Sequence, residues 1–557
     1  MTKTEKNRKV YLIFIIILML QVIAAFCFCM KKTGFHYDEY YSYYSSNVTY
    51  GLVPTNREWK SGEEIRNEFQ VLPGEGFNFE TVVRMQTYDV HPPFYYILLH
   101  AVCSLTPGNF SKWSALGLNL VLFVFSWVVL ALLTWKITAA CVCSGASEKE
   151  KWAKLPAVVT GAVCLLYGFN PAVLSGVMMA RMYTLLGFFV LAVTLLHVQA
   201  LINRRRCWKF YAAMMLTVYL GFLTHYYYAV YMFFLAAAME CYLLFEKAEQ
   251  KSWRQKWKDC ISYGAAVVGA MAAAVISYPA CLGHIFRGYR GTEALGEFFN
   301  VENTAGRVQF FSGLLNEYVF GSMLPFLLLV IVLLGITAWS LKRVKKTAGA
   351  QQTFWERDRV LWITGTAVTG YFLVVAKTAL LNAEEAIRYP LPVFGLLLMF
   401  AVIAAALLLL KCFPGLSMKW NGLILTGIFA VLLFGEGRGL LEDRVLFLYE
   451  EDAGNIAFAQ ENHDVPVMHF YNGNLTWMIW DESLELMQYD EIYFVNKADL
   501  SPISEEKLAA ADRIFVYVAR GDDVEEALDA AKAAMGEGIK AEKIRELLYC
   551  DLYELTR

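Results

Sequence analysis

Two segments of this chain place acids where acids are costly. Phe35-His36-Tyr37-Asp38-Glu39-Tyr40-Tyr41-Ser42-Tyr43-Tyr44 follows directly on the apolar run from Val10 to Met30. Adjacent carboxylates among aromatic rings at a membrane surface could supply a general base, with a pKa raised by a partly dry site. The tyrosines could stack on a sugar ring or anchor the loop at headgroup level. An ordinary aromatic belt with solvated acids fits the same residues equally well. The second segment, Tyr88-Asp89-Val90-His91-Pro92-Pro93-Phe94-Tyr95-Tyr96, opens a short apolar stretch. Pro92 and Pro93 suit the first turn of a helix, where a missing N–H costs little. Asp89 and His91 stand just outside it, so Asp89 is either a helix cap or a working acid.

Cations return to the same side of the chain at three later points: Arg181, His225 in Thr224-His225-Tyr226-Tyr227-Tyr228, and Arg388-Tyr389 after Glu384-Glu385. An arginine fork matches phosphate oxygens. The competing reading of Arg388 is a side chain snorkelling from a helix end. Acids at two points and cations at three all fall on one face once the spans are laid out, which a site requires and scattered anchors do not.

The elements that must position them are membrane spans. Of 557 residues, 57% are hydrophobic and 15% aromatic, against about 45–50% apolar in soluble domains, and the mean hydropathy is +0.41. Lys3, Lys6, Arg8 and Lys9 precede the first run, which is too long for a signal peptide's core and lacks a small-residue cleavage site at Met30-Lys31-Lys32. It reads as an uncleaved first span. Residues 31–112 then form the first outer loop, with Phe94 to Leu105 too short to cross and laid along the interface. Further spans are expected at Trp113–Trp135, Leu155–Phe169, Met182–Ile202, a hairpin over Phe210–Phe245, Ile261–Ala280, and residues 321–341, 360–380, 389–411 and 421–438. Residues 281–320 are expected as an outer loop. The basic clusters at 204–206, 247–258 and 342–346 all fall inside in this orientation, together with the loop Ser144–Lys151. Treating Phe94–Leu105 as a span would invert every later loop.

The fold class expected is therefore a polytopic α-helical membrane protein of about eleven transmembrane helices with a small C-terminal extracytoplasmic α/β domain. The membrane module is residues 1–439 and the tail domain 440–557. In the tail, Val465–Phe470, Glu491–Val495 and Arg513–Val518 are β-rich runs, and Val524–Met535 and Ala541–Leu548 follow helical patterns. The tail holds no Gly-rich phosphate loop and no nucleophile constellation. The twelve cysteines lie mostly in apolar runs, where they act as small hydrophobes, and none is spaced as a zinc site; Cys141 and Cys143 are too close for easy pairing.

Asp38-Glu39 after the first span, Asp89-x-His91-Pro92-Pro93-Phe94-Tyr95-Tyr96, Arg181-Met182-Tyr183 opening a span, and Arg388-Tyr389-Pro390-Leu391-Pro392 opening a late one resemble the GT-C glycosyltransferases. The nearest groups in pattern are the dolichyl-phosphate-mannose protein mannosyltransferases and the bacterial aminoarabinose transferases. The resemblance covers roughly residues 10–410, and its specific motifs lie in the first loop. The Arg181 loop lacks an acid that some relatives carry.

The resemblance implies a polyprenyl-phosphate-linked sugar donor, an inverting displacement at the extracytoplasmic face, and a protein, lipid or envelope-glycan acceptor. By that analogy Asp38 is the general base, and Glu39 and Asp89 orient the acceptor or Asp38. Arg388, Arg181 and His225 hold the departing phosphate, and His91, Tyr37, Tyr40 and Tyr389 bind substrate. No obligatory metal is implied. A divalent cation is left open, since Asp38, Glu39, Asp89 and His91 offer ligands without a compact spacing. The partners are the lipid bilayer, the donor and the acceptor, with no nucleic acid, and the setting is a bacterial plasma membrane. The rival is a transporter or flippase of a glycan or lipid precursor, which needs charges near the midplane and repeats. The charges here lie at span ends, with Lys377 in the ninth span the exception.

Overall fold

The computed structural model describes residues 3–47, 56–142, 154–246, 251–344, 358–413, 417–473, 476–521 and 523–557. The expected loop at Ser144–Lys151 falls outside the described residues, as do Cys143, residues 247–250 and Lys345-Lys346. The protein is a multi-pass, mostly helical membrane protein. Among the described residues eight helices are long and apolar enough to cross a bilayer: Arg8–Lys31, Lys112–Cys141, Tyr183–Asn203, Tyr227–Phe245, Trp253–Ser277, Arg359–Thr378, Leu391–Cys412 and Lys419–Leu441. Two bent pairs, Leu155–Gly168 with Pro171–Met178 and Thr304–Val319 with Leu324–Ser340, raise the number to ten. The hairpin is formed as expected, but its first arm, Trp208–Phe222, has only 15 residues, below the roughly 17–25 that a span takes.

The first broken span explains how an arginine is delivered to one end of the bundle. Asn170 caps a new helix by accepting from the Val173 N–H, and Pro171 takes its first position, where no N–H is needed. The 51° bend falls where carbonyls at the end of Leu155–Gly168 face the first span. Gln21 of the first span donates to two of them, Cys164 and Leu165, and accepts from Trp127 Nε1. Asn170 Nδ2 in turn reaches the Val319 carbonyl at 2.7 Å and Glu436 Oε1 at 3.1 Å. Every residue of Pro171–Met178 is buried, and the chain emerges from it at Arg181. Residues 281–320, expected as a loop, are instead helical: Ala280–Phe286, Tyr289–Phe299, Thr304–Leu314, and one π-turn at Leu315–Val319.

The second broken span turns at Gly321, whose φ of +55° is in the left-handed region and whose α-carbon stands against the backbone of Gly435. Gly321→Ala is expected to lower the melting temperature of the purified protein. The left-handed backbone costs about 1–2 kcal/mol with a β-carbon, and the collision adds about 1–3 kcal/mol of overpacking. An unchanged melting curve would show that the turn relaxes freely.

The C-terminal domain is built on one six-stranded sheet, ordered β1-β3-β2-β4-β6-β5. The strands are β1 Glu58–Lys60, β2 Val467–Tyr471, β3 Ile492–Asn496, β4 Arg513–Ala519, β5 Lys540–Glu546 and β6 Cys550–Thr556. β2 pairs in parallel with β3 and β4, and the remaining ladders are antiparallel. β1 comes from the first loop, so the sheet joins segments more than 400 residues apart. Central strands buried on both faces need cover on both. One face packs Met468, Val495 and Val516 on Leu508, Ala527 and Ala531 of two helices. The other, with Phe494, Tyr517 and Leu552, joins the core shared with the membrane module. The segment Ala541–Leu548, expected as a helix, lies largely in strand β5. Its Ala, Glu, Lys and Leu favour helix, but Gly536 and Gly538 take positive φ just before it, and pairing with β6 outweighs the propensity. Its exposed charges suit a sheet edge.

Candidate functional site

All three cation-bearing turns and both acid-bearing segments meet at one end of the bundle. The helix Tyr37–Asn47 starts five residues after the first span, with Asp38 and Glu39 in its first turn. The two acids part company there. Glu39 is fully buried and satisfied: Oε2 takes the Lys32 ammonium at 2.9 Å and the His36 N–H at 2.8 Å, and Oε1 takes the Ala180 N–H at 2.6 Å. It ties the helix to the turn that carries Arg181. Asp38, by contrast, keeps 21% of its side chain exposed.

Asp38 lies between two buried arginines. Arg388 Nη2 is 3.5 Å from its Oδ2 and Arg181 Nη2 is 4.0 Å from its Oδ1. Both guanidinium groups are loosely held. Arg388 also reaches the Glu385 carbonyl at 3.2 Å and the Tyr389 hydroxyl at 3.4 Å. Arg181 donates to Tyr96 Oη at 2.9 Å and Ser42 Oγ at 3.4 Å. Most of these contacts exceed the roughly 2.7–2.9 Å of a charge-assisted bond to a carboxylate. Neither Nε has an acceptor among the described residues. Burial alone would raise the Asp38 carboxyl, but Arg181, His36 and Arg388 hold it well below the usual carboxylate range.

The second segment supplies a neutral imidazole. His91 Nδ1 is 3.1 Å from Asp89 Oδ2, and Arg181 Nη2 is 3.4 Å from both His91 ring nitrogens. Burial holds His91 below the ordinary histidine range against the pull of Asp89. Asp89 itself, despite burial, is held low by His91 and Arg181. With Asp89 ionised, the ring proton sits on Nδ1 and is donated to Asp89, while Arg181 stands equally far from both ring nitrogens. His225 packs its ring 5.9 Å from that of His91, and its Nδ1 accepts the Tyr227 N–H at 3.0 Å. Burial, reinforced by the Arg181 charge, keeps it neutral, so its remaining proton is on Nε2.

The structure thus brings together Asp38, Asp89, His91, Arg181, His225, Arg388 and Tyr389, with Tyr37 on the same helical face as Asp38. It does not bring Tyr40 or Glu39 into the open part of the site. Tyr40, expected against substrate, has no exposed surface and packs its ring against Phe35 and Phe69; one residue further along a helix points some 100° away. Lys377 lies in the last turn of Arg359–Thr378, and its ammonium binds the Asn300 carbonyl and the Asn303 side chain. It fastens a loop at the span's end rather than standing at mid-membrane.

Three residues at the site were not singled out from the sequence. His36 accepts the Asp38 N–H on Nδ1 at 3.1 Å and meets Glu385 Oε2 through Nε2 at 3.0 Å. Glu385 also pairs with Arg388 and accepts the Tyr449 hydroxyl at 3.2 Å. The signal for Glu385 was present, since it stands three residues before Arg388 on one turn. Tyr449, on the linker to the C-terminal domain, had no local signal at all. Among the described residues no group of three or more His, Cys, Asp or Glu side chains is placed to hold a metal ion.

No family model and no curated protein matches the chain. Among the solved structures similar to it are two of one protein. One is the crystal structure of ArnT from Cupriavidus metallidurans bound to undecaprenyl phosphate, 11% identical, covering 97% of this chain and 97% of that one at a TM-score of 0.49. The other is the same protein in the apo state, 11% identical, covering 96% and 97% at a TM-score of 0.43.

Proposed function

We propose that this protein is an inverting glycosyltransferase that moves a sugar from a polyprenyl-phosphate donor to an acceptor at the extracytoplasmic face of a bacterial plasma membrane. The observation that carries the reading is the carboxylate of Asp38 set between the loosely held, buried guanidinium groups of Arg181 and Arg388. Two such cations at a membrane surface are expensive unless an anion joins them. Asp38 is shared between the two forks at 3.5 and 4.0 Å, Glu385 reaches Arg388 only at 3.5 Å, and neither Nε has an acceptor among the described residues, so both forks keep donors for a further anion. A phosphodiester offers oxygens to both forks and to the Nε2 proton of His225.

The chemistry follows from that placement. The acceptor hydroxyl or amine attacks the anomeric carbon from the side opposite the phosphate, and its proton passes to Asp38. The anomeric C–O bond breaks with its electron pair going to the lipid phosphate, so the sugar inverts. The charge that develops on the leaving oxygen falls among Arg388, Arg181 and His225, which removes the need to protonate it. The low pKa of resting Asp38 is not an obstacle. Once a phosphate takes up the two arginines, their pull on Asp38 weakens and its basicity rises. Asp89 fixes the His91 tautomer and, through it, the position of Arg181. The motif resemblance of the first loop supports the same reading.

The direct test is release of lipid phosphate from a panel of radiolabelled polyprenyl-phosphate sugars by the purified protein in nanodiscs. Wild type turns over at least one donor on this reading, and Arg388→Lys lowers kcat on the order of 10²-fold, as for loss of one pre-aimed donor group. No turnover of any donor, or an undiminished Arg388→Lys variant, would refute the assignment.

A further inference from the structure

Asp38 has neighbours that the donor chemistry does not use. Beside its pairing with Arg181 and Arg388 stand aromatic rings and carboxyl groups, several of them from the C-terminal domain. Along Tyr37–Asn47 the partly exposed residues are Tyr37, Asp38, Tyr41 and Tyr44, and the remainder are buried. That spacing is one helical stripe, so Asp38 shares its open face with three tyrosines. Trp480 of the domain docks on the stripe, its ring 4.2 Å from that of Tyr41 and 4.8 Å from that of Tyr44. The next residue, Asp481, is partly exposed.

A second element of the domain reaches the same place. The β5–β6 hairpin ends at Tyr549, whose carbonyl accepts the Arg520 N–H at 2.9 Å. Besides burial, the charges acting on the Tyr549 hydroxyl are those of Asp481, Glu385, Glu482 and Asp38. Tyr37 in turn feels Asp38 and Tyr549. Burial, then Glu482, Asp452 and Glu385, push the Asp481 carboxyl up to about 8, with no cation acting to lower it. Beneath this surface the hydroxyl of fully buried Tyr40 lies by the Leu484 backbone, and the acids acting on it most strongly are Asp481 and Asp452.

We infer that Tyr37, Tyr41, Asp481 and Tyr549 form the acceptor wall of the site and that the acceptor is a neutral carbohydrate. The inference rests on the glycosyl-transfer reading above. Rings beside carboxyl and phenol groups match a sugar, whose C–H face stacks while its hydroxyls hydrogen-bond. An anionic acceptor is repelled by Asp38 and Glu385 and competes with the donor phosphate for Arg181 and Arg388, the cations that pair with them. A cationic one must stand beside Arg181 and Arg388 to reach Asp38. A neutral polyol is tolerated by both sides. The C-terminal domain is then part of the substrate site, and the Tyr41–Trp480–Tyr44 contact is what registers it on the base.

The test uses the full-length protein in nanodiscs, a donor that it turns over, and three acceptor probes: maltopentaose, an oligogalacturonate and a Ser/Thr-containing peptide. Maltopentaose is expected to accept sugar best. Tyr41→Ala and Asp481→Ala each raise its KM about tenfold, the scale of one lost ring contact or hydrogen bond, while donor KM moves less than twofold. Asp481→Asn, which keeps a neutral hydrogen-bonding group, restores most of the affinity. Preference for the oligogalacturonate or the peptide overturns the inference, as does an equal change in donor KM. If no donor is turned over, the glycosyl-transfer reading fails instead. Saturation-transfer NMR of maltopentaose on wild type and Tyr41→Ala then still decides whether the wall binds sugar.

Discussion

Asp38→Asn is expected to lower the turnover number by about 10²–10⁴-fold, the usual contribution of a positioned general base, without raising the donor KM. The two halves of that expectation have one origin. The substitution removes the group that takes the proton, and it also removes the anion that competes with a phosphate for Arg181 and Arg388. Donor binding is therefore held or strengthened while chemistry is lost. A purely structural role for Asp38 predicts the reverse, a loss of stability or of donor affinity with kcat preserved per folded molecule.

The pH profile gives a second reading of the same residue. A base works only when deprotonated, so activity falls as pH drops through its pKa. In the free enzyme that pKa lies well below the usual carboxylate range, so kcat/KM stays level through pH 5. In the donor complex the arginines are shared with phosphate, and the acid limb of kcat moves to higher pH than that of kcat/KM. Coincident limbs would remove the coupling between donor and base.

Glu39→Ala is the second large effect, and it falls on stability. Lys32 and Glu39 form an ion pair with neither side chain exposed, and the Lys32 ammonium also binds the Phe447 carbonyl at 2.6 Å. Removing one partner of a buried pair costs about 3–5 kcal/mol, because the other charge is left uncompensated. Here the His36 and Ala180 N–H groups lose their acceptor as well. The expected result is a marked fall in melting temperature and in the yield of monodisperse protein. Adding Lys32→Met to Glu39→Ala should recover part of the loss, since it removes the stranded charge and leaves uncharged orphans, the two N–H groups and the Phe447 carbonyl. No difference between the single and double variants would mean that Lys32 finds water or another partner. The pair matters beyond stability, because Phe447 and Tyr449 on the domain linker hold positive φ while bound to Lys32 and Glu385. The linker, the base helix and Arg388 are thus fastened at neighbouring points.

The sequence by itself determined the membrane class, the placement of nearly every long helix, the hairpin, and the three central strands of the tail. These are properties of local apolar runs and periodicity, and no distant partner can change the length of a run. It also singled out Asp38, Asp89, His91, Arg181, His225 and Arg388, because charged groups at span ends stand out against 57% hydrophobic residues. The tertiary structure alone decided which of two adjacent acids is open, since Glu39 is occupied by Ala180 across 141 residues of chain. It decided that Tyr40 faces a core and Tyr41 a surface, which depends on the rotation of one short helix against its neighbours. The first-loop strand β1, the β5 strand in a helix-forming sequence, and the Tyr449–Glu385–His36 chain all rest on partners far away in sequence. Contacts of that kind leave no periodic trace, because the energy that fixes them is held between segments and not within either one.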